Sequence, residues 1–194
     1  TLGLVPDFRE TAFDGILPSV SDGNLDVGMS SVTDTREREE SVDFVTYFQA
    51  GTLWAQRPGS SVDPDAACGL RVGVAHSVIQ DTNEIPAKSD ACVAAGLPPI
   101  DKVVHMHQDE VTAALIAGEV DAMSADSPVT GFAIKLSGGA LEPSGQVFDA
   151  APYGWSHCLT LPHGLLSGAG LARDPRRVLA AGATYVLGFR ATQG

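Results

Sequence analysis

Two segments of the chain share one pattern of hydrophobic and polar positions. In residues 13–21 the apolar side chains recur with the spacing of one helical face, Gly23 follows, and residues 25–29 have the character of a buried strand. We expect Asp14 to cap this helix and Pro18 to lie in its first turn, where the missing N–H costs little. The pattern predicts a helix, a glycine stop and a strand.

The same pattern returns further along the chain. Residues 111–115 form a helical stripe, Gly118 would end that helix, and residues 120–123 form the next strand. Two copies predict two lobes of related α/β architecture, although a chance similarity in a chain rich in Gly, Asp and Val is the alternative. In this alignment Ser31 corresponds to Asp126, each expected just past the carboxyl end of its strand, where open α/β sheets bind ligands.

Two further segments are expected to run between the lobes. Residues 42–48 alternate like a strand and run into residues 51–55, and a second crossing is expected near residues 152–155. Between them, residues 70–75 form a short strand followed by Ser77, a candidate N-cap. The predicted division is a partial first lobe (1–52), a second lobe (53–150), and a crossing strand with an atypical tail that returns toward the first lobe (151–194).

The charge balance narrows the classes of partner. The chain has 24 acidic residues against 12 Lys and Arg, a formal net charge of −12. Nucleic-acid binding needs a basic surface, so we expect no nucleic-acid partner. No apolar run approaches the roughly 18 residues of a membrane span. Because the chain opens at Thr1 without a leader, we expect any export signal to have been removed or not included.

The densest polar cluster is residues 30–38, between a buried strand and the start of a predicted helix. Hydroxyls and backbone amides at such a turn suit an anion, and an arginine one turn into the helix can hold a carboxylate through two parallel hydrogen bonds. The alternative is a capping sequence, in which Thr35 or Asp34 closes the helix start. Arg36 and Arg38 would then be solvated surface charges.

Asp126 is the candidate acid of the second lobe. It follows an apolar strand and precedes Pro128, which can open a helix. Its carboxylate could accept hydrogen bonds from a ligand ammonium group, or it could cap the helix. A carboxylate grip in one lobe and an ammonium acceptor in the other would together suit a zwitterionic amino acid.

Motifs for catalysis or metal binding are weak. His105 and His107 could share one face of a strand, but no third ligand is evident, and the cysteines fit no zinc motif. Cys68 and Cys92 could form a disulfide or remain buried thiols. The sequence has no nucleophile elbow, phosphate-binding loop or HExxH motif. We therefore predict no metal site and no cofactor.

Several motifs resemble bacterial extracellular solute-binding proteins of family 3, the polar amino acid-binding type. The resemblance covers roughly residues 5–155, and its most specific part is the stretch 29–38. The similar segments are residues 13–18, 26–38, 42–47, 68–74, 92–96, 118–122 and 151–154. The resemblance implies a two-lobed, type II periplasmic-binding-protein-like fold.

The resemblance also implies roles for individual residues. Ser31 and Thr33 would hydrogen-bond the ligand carboxylate, Arg38 would form the two-pronged ion pair, and Asp126 would take the α-ammonium group. Where the second lobe of the family supplies Gly-Thr at a helix start, this chain has Ser77 and Val78, so Ser77 would contribute the helix terminus. An extracytoplasmic family member would also carry the Cys68–Cys92 disulfide.

The function implied is capture of an amino acid or similar small polar solute by hinge closure. The protein would be a monomer in the periplasm or a lipoprotein at the cell surface, it would deliver its ligand to the permease of an ABC importer, and it would not be an enzyme. One alternative is a dehydratase-type enzyme acting on a cyclic carboxylic acid, for which His76 is the nearest acid or base. The other is a sensory or non-functional fragment.

The chain departs from the family at both ends. It starts after the strand and helix that normally open the first lobe, so we expect that lobe to be incomplete. Residues 151–194 contain one acid, Asp174, and four arginines, instead of an amphipathic helix with Lys and Glu. We predict a change of reading frame near Trp155 or Ser156.

Overall fold

The protein is described by a computed structural model over residues 7–157, which form two compact units. Residues 50–150 make up the second unit, and the described part of the first consists of residues 7–49 and 151–157. The predicted frame change concerns the tail that begins at Trp155 or Ser156. Residues 158–194 of that tail, and Cys158 with them, lie outside the described residues.

The first unit opens with a helix that packs by its apolar face. A 3₁₀ turn (Phe13–Gly15) leads into helix α1 (Ile16–Ser21). The apolar face of α1 contributes Ile16 and Val20 to a buried core. The other buried apolar side chains of this core are Leu25, Val32 and Val42. The predicted cap was wrong, because Gly15 precedes α1, no side chain caps it, and Asp14 lies inside the 3₁₀ turn. Gly23 has a φ of +72°, a conformation that favours glycine, directly after the helix ends.

Strand β1 (Val27–Thr33) is longer than the apolar run suggested. It pairs antiparallel with residues 153–157, with Val27 opposite His157 and Thr33 opposite Tyr153. The register shifts between Gly28 and Val32, and Ser31 within this irregularity has a φ of +53°. The expectation that Ser31 lies past the end of its strand was therefore wrong, since a bulge keeps the strand paired through Thr33.

A short helix and a long strand complete the first unit. Helix α2 (Arg36–Glu39) has Thr35 as its N-cap, and strand β2 (Asp43–Gln56) begins in the first unit and ends in the second. Phe44 on β2 lies against Gly154, where a Cβ would come within 2.7 Å of the phenyl ring. A residue larger than glycine at position 154 would therefore push the strand that contains it away from β2.

The second unit is built from βα repeats and the crossing strands. After β2 its elements are β3 (Arg71–Ala75), a π-helical turn (Gln80–Glu84), α3 (Ile85–Ala94), β4 (Asp101–His105), α4 (Gln108–Ala117), β5 (Ala122–Asp126), α5 (Ser127–Leu136) and the start of β6 (Glu142–His157). Residues 151–157 of β6 belong to the first unit. The strand order is β4-β3-β5-β2, in which β3 is parallel to both β4 and β5, and β2 is antiparallel to β5. The predicted second copy of the pattern is confirmed, since α4 ends at Gly118, whose φ is +81°.

Apolar clusters and a disulfide hold the second unit together. One cluster includes Val111, Leu115 and Met123, and another includes Trp54 and Ile85. The predicted disulfide is confirmed: Cys68 in the loop before β3 is bonded to Cys92 on α3, with Cα atoms 5.6 Å apart. Within residues 7–157, no helix combines the length and the apolar character that crossing a bilayer would need.

Candidate functional site

The predicted ligand-binding residues belong to both units. Ser31, Thr33 and Arg38 lie in the first unit, whereas Ser77 and Asp126 lie in the second. Their roles toward a ligand stay predictions, while their local surroundings are defined within each unit.

Arg38 lies on α2, and its side chain contacts residues of its own unit. The Thr35 hydroxyl accepts a hydrogen bond from the Arg38 backbone N–H at 3.3 Å. The Arg38 guanidinium donates to the Thr33 carbonyl at 2.9 Å and lies 5.9 Å from the centre of the Phe13 ring. Thr35 thus caps the helix and Arg36 is exposed, as the capping alternative predicted, whereas Arg38 is half-buried. A role of Arg38 toward a ligand stays a prediction.

Ser31 and Thr33 are held by the strand that carries them. Thr33 is buried, and Ser31 is hydrogen-bonded to Tyr47 on β2. Burial raises the pKa of Tyr47, and hydrogen bonds with Ser31 offset part of that rise. The Tyr47 ring lies 5.6 Å from that of Trp155 and 6.4 Å from that of Tyr153. An aromatic cluster therefore supports the strained backbone at Ser31.

Asp126 ends β5 and occupies the N-cap position of α5, but its side chain makes no cap hydrogen bond. Asp126 Oδ1 instead accepts a hydrogen bond from Gln80 Nε2 at 2.8 Å. The same Gln80 amide nitrogen donates to Thr52 Oγ1 at 3.1 Å, and both Gln80 and Thr52 are almost fully buried. The carboxylate is thus oriented by a buried side chain and is not used to close a helix.

The turn after β3 differs from the prediction. Ser77 is not a helix N-cap, because the helical turn begins at Gln80 with Ile79 before it, and Ser77 has a φ of +62°. The Ser77 backbone N–H donates to Asp81 Oδ2 at 2.9 Å. Because the Ser77 N–H already donates to Asp81 within the turn, a ligand contact by Ser77 would use its hydroxyl group.

Asp81 is the centre of a small ion network beside this turn. Lys102 Nζ lies 2.7 Å from Asp81 Oδ1, and His76 Nδ1 lies 3.7 Å from Asp81 Oδ2. Burial would raise the pKa of Asp81, but hydrogen bonds from Lys102 and the Ser77 N–H, with the charge of Lys102, hold that pKa below its ordinary value. The charged form of Asp81 therefore fixes the loop that carries Ser77.

A second polar contact lies one helical turn from Gln80 and was not predicted from the sequence. Glu84 accepts hydrogen bonds from Trp54 Nε1 at 2.8 Å and from the Ser124 hydroxyl. Burial raises the pKa of Glu84, although these two hydrogen bonds act in the opposite sense. Gln80 and Glu84 have the i, i+4 spacing of one helical face, which is the sequence signal that could have revealed the pair.

His105 and His107, the two histidines that the sequence placed on one strand, belong to different elements. His105 ends β4 and His107 is the N-cap of α4, so the expectation that both rings share one strand face was wrong. Within residues 7–157, no group of three or more His, Cys, Asp or Glu side chains is placed to hold a metal ion.

Comparisons with known proteins relate this chain to one family. Residues 1–95 match the model of bacterial extracellular solute-binding proteins, family 3. The arginine-binding protein ArgT of Corynebacterium glutamicum is 40% identical over 157 residues, which are 80% of this chain and 52% of that protein. An L-arginine-binding protein of Pseudomonas aeruginosa is 32% identical over 123 residues, 61% of this chain and 44% of that protein. This chain therefore spans about half the length of these relatives.

A solved structure of an ancestral arginine-binding protein bound to arginine matches with a TM-score of 0.69 and 26% identity, over 79% of this chain and 67% of that one. The mixed α/β architecture described above is thus the type II periplasmic-binding-protein-like fold. Together with the match of residues 1–95, these comparisons make the chain similar in sequence and fold to the bacterial extracellular solute-binding proteins, family 3.

Proposed function

We propose that this chain is the ligand-binding part of an extracytoplasmic receptor that captures an L-amino acid, with arginine as the first candidate. The observation that carries the proposal is the Asp126 carboxylate, which is oriented at the end of β5 by Gln80 and makes no cap hydrogen bond. The relatives named above supply the candidate ligand, since both curated relatives are arginine-binding proteins.

The two units offer complementary charges for a zwitterion. In the first unit Arg38 would pair with the ligand carboxylate, and Ser31 and Thr33 would add hydrogen bonds. In the second unit Asp126 would accept hydrogen bonds from the α-ammonium group, and the hydroxyl of Ser77 would contribute a weaker contact. Charge-assisted hydrogen bonds of this kind are about twice as strong as neutral ones.

The proposed mechanism is closure of the two units on the ligand. The ligand docks on one unit, the other closes, and the closed form is the one that the permease of an ABC importer recognises. We place the receptor outside the cytoplasm, in the periplasm or at the cell surface, and as a monomer. The Cys68–Cys92 disulfide supports this location, because such bonds persist mainly in oxidising compartments.

The proposal contains no chemical step on the ligand. A dehydratase on this fold would need a general acid or base, and the sequence candidate His76 lies 3.7 Å from the Asp81 carboxylate, beside the ion pair with Lys102. Incubating the protein with cyclic carboxylic acids tests this alternative. Sustained turnover would replace the receptor with an enzyme.

A thermal-shift screen of the twenty amino acids against the full-length protein tests the binding proposal. A ligand that binds the folded state raises the melting temperature, so L-arginine should give a clear increase. Calorimetry with the best ligand then gives the affinity. If no amino acid changes the melting temperature and calorimetry detects no binding, the receptor proposal is wrong.

A further inference from the structure

Two residues of one helical segment lie across two neighbouring residue pairs of the sheet in the second unit. Thr52 faces Asp126 and Trp54 faces Ser124 in the antiparallel pairing of β2 with β5. Gln80 donates to both members of the first pair. Glu84 accepts from both members of the second pair. We call these four side-chain hydrogen bonds the polar clamp.

The clamp uses opposite chemistry at its two ends. At the Glu84 end a carboxylate accepts hydrogen bonds from the Trp54 indole N–H and the Ser124 hydroxyl, so both donors have an acceptor. At the Gln80 end a neutral amide donates to the Asp126 carboxylate. An amide supplies the donor that a carboxylate needs without neutralising the negative charge, as a lysine or arginine would.

Burial makes the Gln80 end rigid. The Gln80 side chain is 1% exposed and Thr52 is 1% exposed, so both have few alternative rotamers. The Asp126 side chain, at the end of β5, is only partly covered. One oxygen of that carboxylate therefore has a fixed direction set by a residue from a different element.

The geometry points to Gln80 as a positioning residue for the ligand ammonium group, an inference that rests on the proposed function. Gln80 holds the Asp126 carboxylate in its binding orientation before the ligand arrives, so that little orientational freedom remains to be lost on binding. Thr52 fixes the same amide, and the Glu84 end anchors the helical segment to β2 and β5. Gln80 acts through Asp126.

A double-mutant cycle tests this role in the full-length protein, with L-arginine as the probe in calorimetry. Gln80→Leu should weaken binding about tenfold in the wild-type background, because the carboxylate loses the donor that orients it. In the Asp126→Ala background the same substitution should change the affinity by less than about twofold, since residues acting through one group are not additive. Gln108→Leu replaces a half-buried glutamine at the start of α4; it is the control variant and should bind like the wild type.

A pH profile separates positioning from a merely structural role. In Gln80→Glu two carboxyl groups face each other and must share a proton, so affinity should fall as the pH rises from about 5 to 8, beyond any trend in the wild type. The other titratable or charged groups close by are Glu84, Asp81, Lys102 and His76, which are the same in both proteins. Their contribution cancels in the comparison.

The outcomes distinguish the inference from the proposal beneath it. If Gln80→Leu and Gln80→Glu bind L-arginine like the wild type while Asp126→Ala does not, Gln80 does not position the carboxylate and the inference alone fails. The inference is also wrong if Gln80→Leu lowers the affinity by the same factor in the wild type and in Asp126→Ala, and lowers the melting temperature of the protein as well. If the wild type binds no amino acid, the proposed function fails and the inference with it.

Discussion

The ends of β1 and β5 differ although the same helix, glycine and strand pattern leads to each. In the second unit β5 stops at Asp126 and α5 begins at the next residue. In the first unit β1 continues through Ser31 to Thr33, with a register shift and a φ of +53° at Ser31. Hydrophobic periodicity thus specifies the elements, but the pairing partner decides where a strand ends.

The two ends also differ in the charge they offer. The first unit has the Arg38 guanidinium, bonded to the Thr33 carbonyl. The second unit has the Asp126 carboxylate, bonded to Gln80. In the proposed receptor the first unit binds an anion and the second binds a cation, and the following substitutions test that division.

The largest expected effect is the loss of either charged residue. Arg38→Ala or Asp126→Ala should weaken amino-acid binding by about 3 kcal/mol, more than a hundredfold, because a desolvated ligand charge is left without its partner. Calorimetry on the full-length protein measures this. The controls are Arg36→Ala on the same helix and Asp90→Asn on α3, both exposed, which should bind normally. Near-native affinity in both test variants would refute the site.

Removal of the disulfide should lower stability and leave the first unit unaffected. Cys68 and Cys92 are separated by 24 residues. Replacing both by serine should cost about 3 kcal/mol of unfolding free energy, because the unfolded chain regains the freedom that the bond removes. Denaturant unfolding of the oxidised and reduced protein gives the same comparison without a substitution. If the oxidised and the reduced protein unfold at the same denaturant concentration, the disulfide does not form in solution.

Glu84→Leu should lower the free energy of unfolding by about 2 kcal/mol, because the indole N–H of Trp54 and the hydroxyl of Ser124 lose their buried acceptor. Burial raises the pKa of Glu84 in the folded state. The folded state therefore binds the proton more tightly, and the stability gained is complete at low pH and lost as the pH rises from the ordinary Glu range through the raised pKa. The isosteric Glu84→Gln should lack this decline. An unchanged pH dependence in that variant would assign the decline to another group.

The smallest effect should come from the backbone at Ser31. Ser31→Ala and Ser31→Gly both remove the hydroxyl, but only glycine adopts a φ of +53° without strain. The glycine variant should therefore be about 1 kcal/mol more stable than the alanine variant in denaturant unfolding. The same pair at Thr33, which lies in ordinary paired strand, should show the reverse order. Equal stability at position 31 would mean that the strain is relieved elsewhere.

Much of the fold was predictable from local patterns. The spacing of Val111 and Leu115, with Gly118 behind them, predicted α4 and its end, and the alternation of residues 42–55 predicted a strand that became β2. The cap at Asp14 failed because a 3₁₀ turn precedes α1, and no local pattern distinguishes that turn from a first helical turn.

The site was predictable only in part, since its residues are defined by contacts between distant segments. Thr35 as a cap and Asp126 at a strand end follow from neighbouring residues. The role of Gln80 could not be predicted in this way, because its partners Thr52 and Asp126 lie on strands that are distant from it in sequence. The Ser77 turn was mispredicted for the same reason, as its amide binds Asp81, which a second element holds through Lys102.

The division of charge between the units is tested most directly by changing the ligand and the protein together. Calorimetry on the full-length protein would compare L-arginine with agmatine, which lacks the carboxylate, and with the desamino analogue, which lacks the α-ammonium group. Arg38→Ala should weaken binding of L-arginine but not of agmatine, and Asp126→Ala should weaken binding of L-arginine but not of the desamino analogue. If each substitution weakens all three ligands by the same factor, the two side chains do not contact the groups assigned to them.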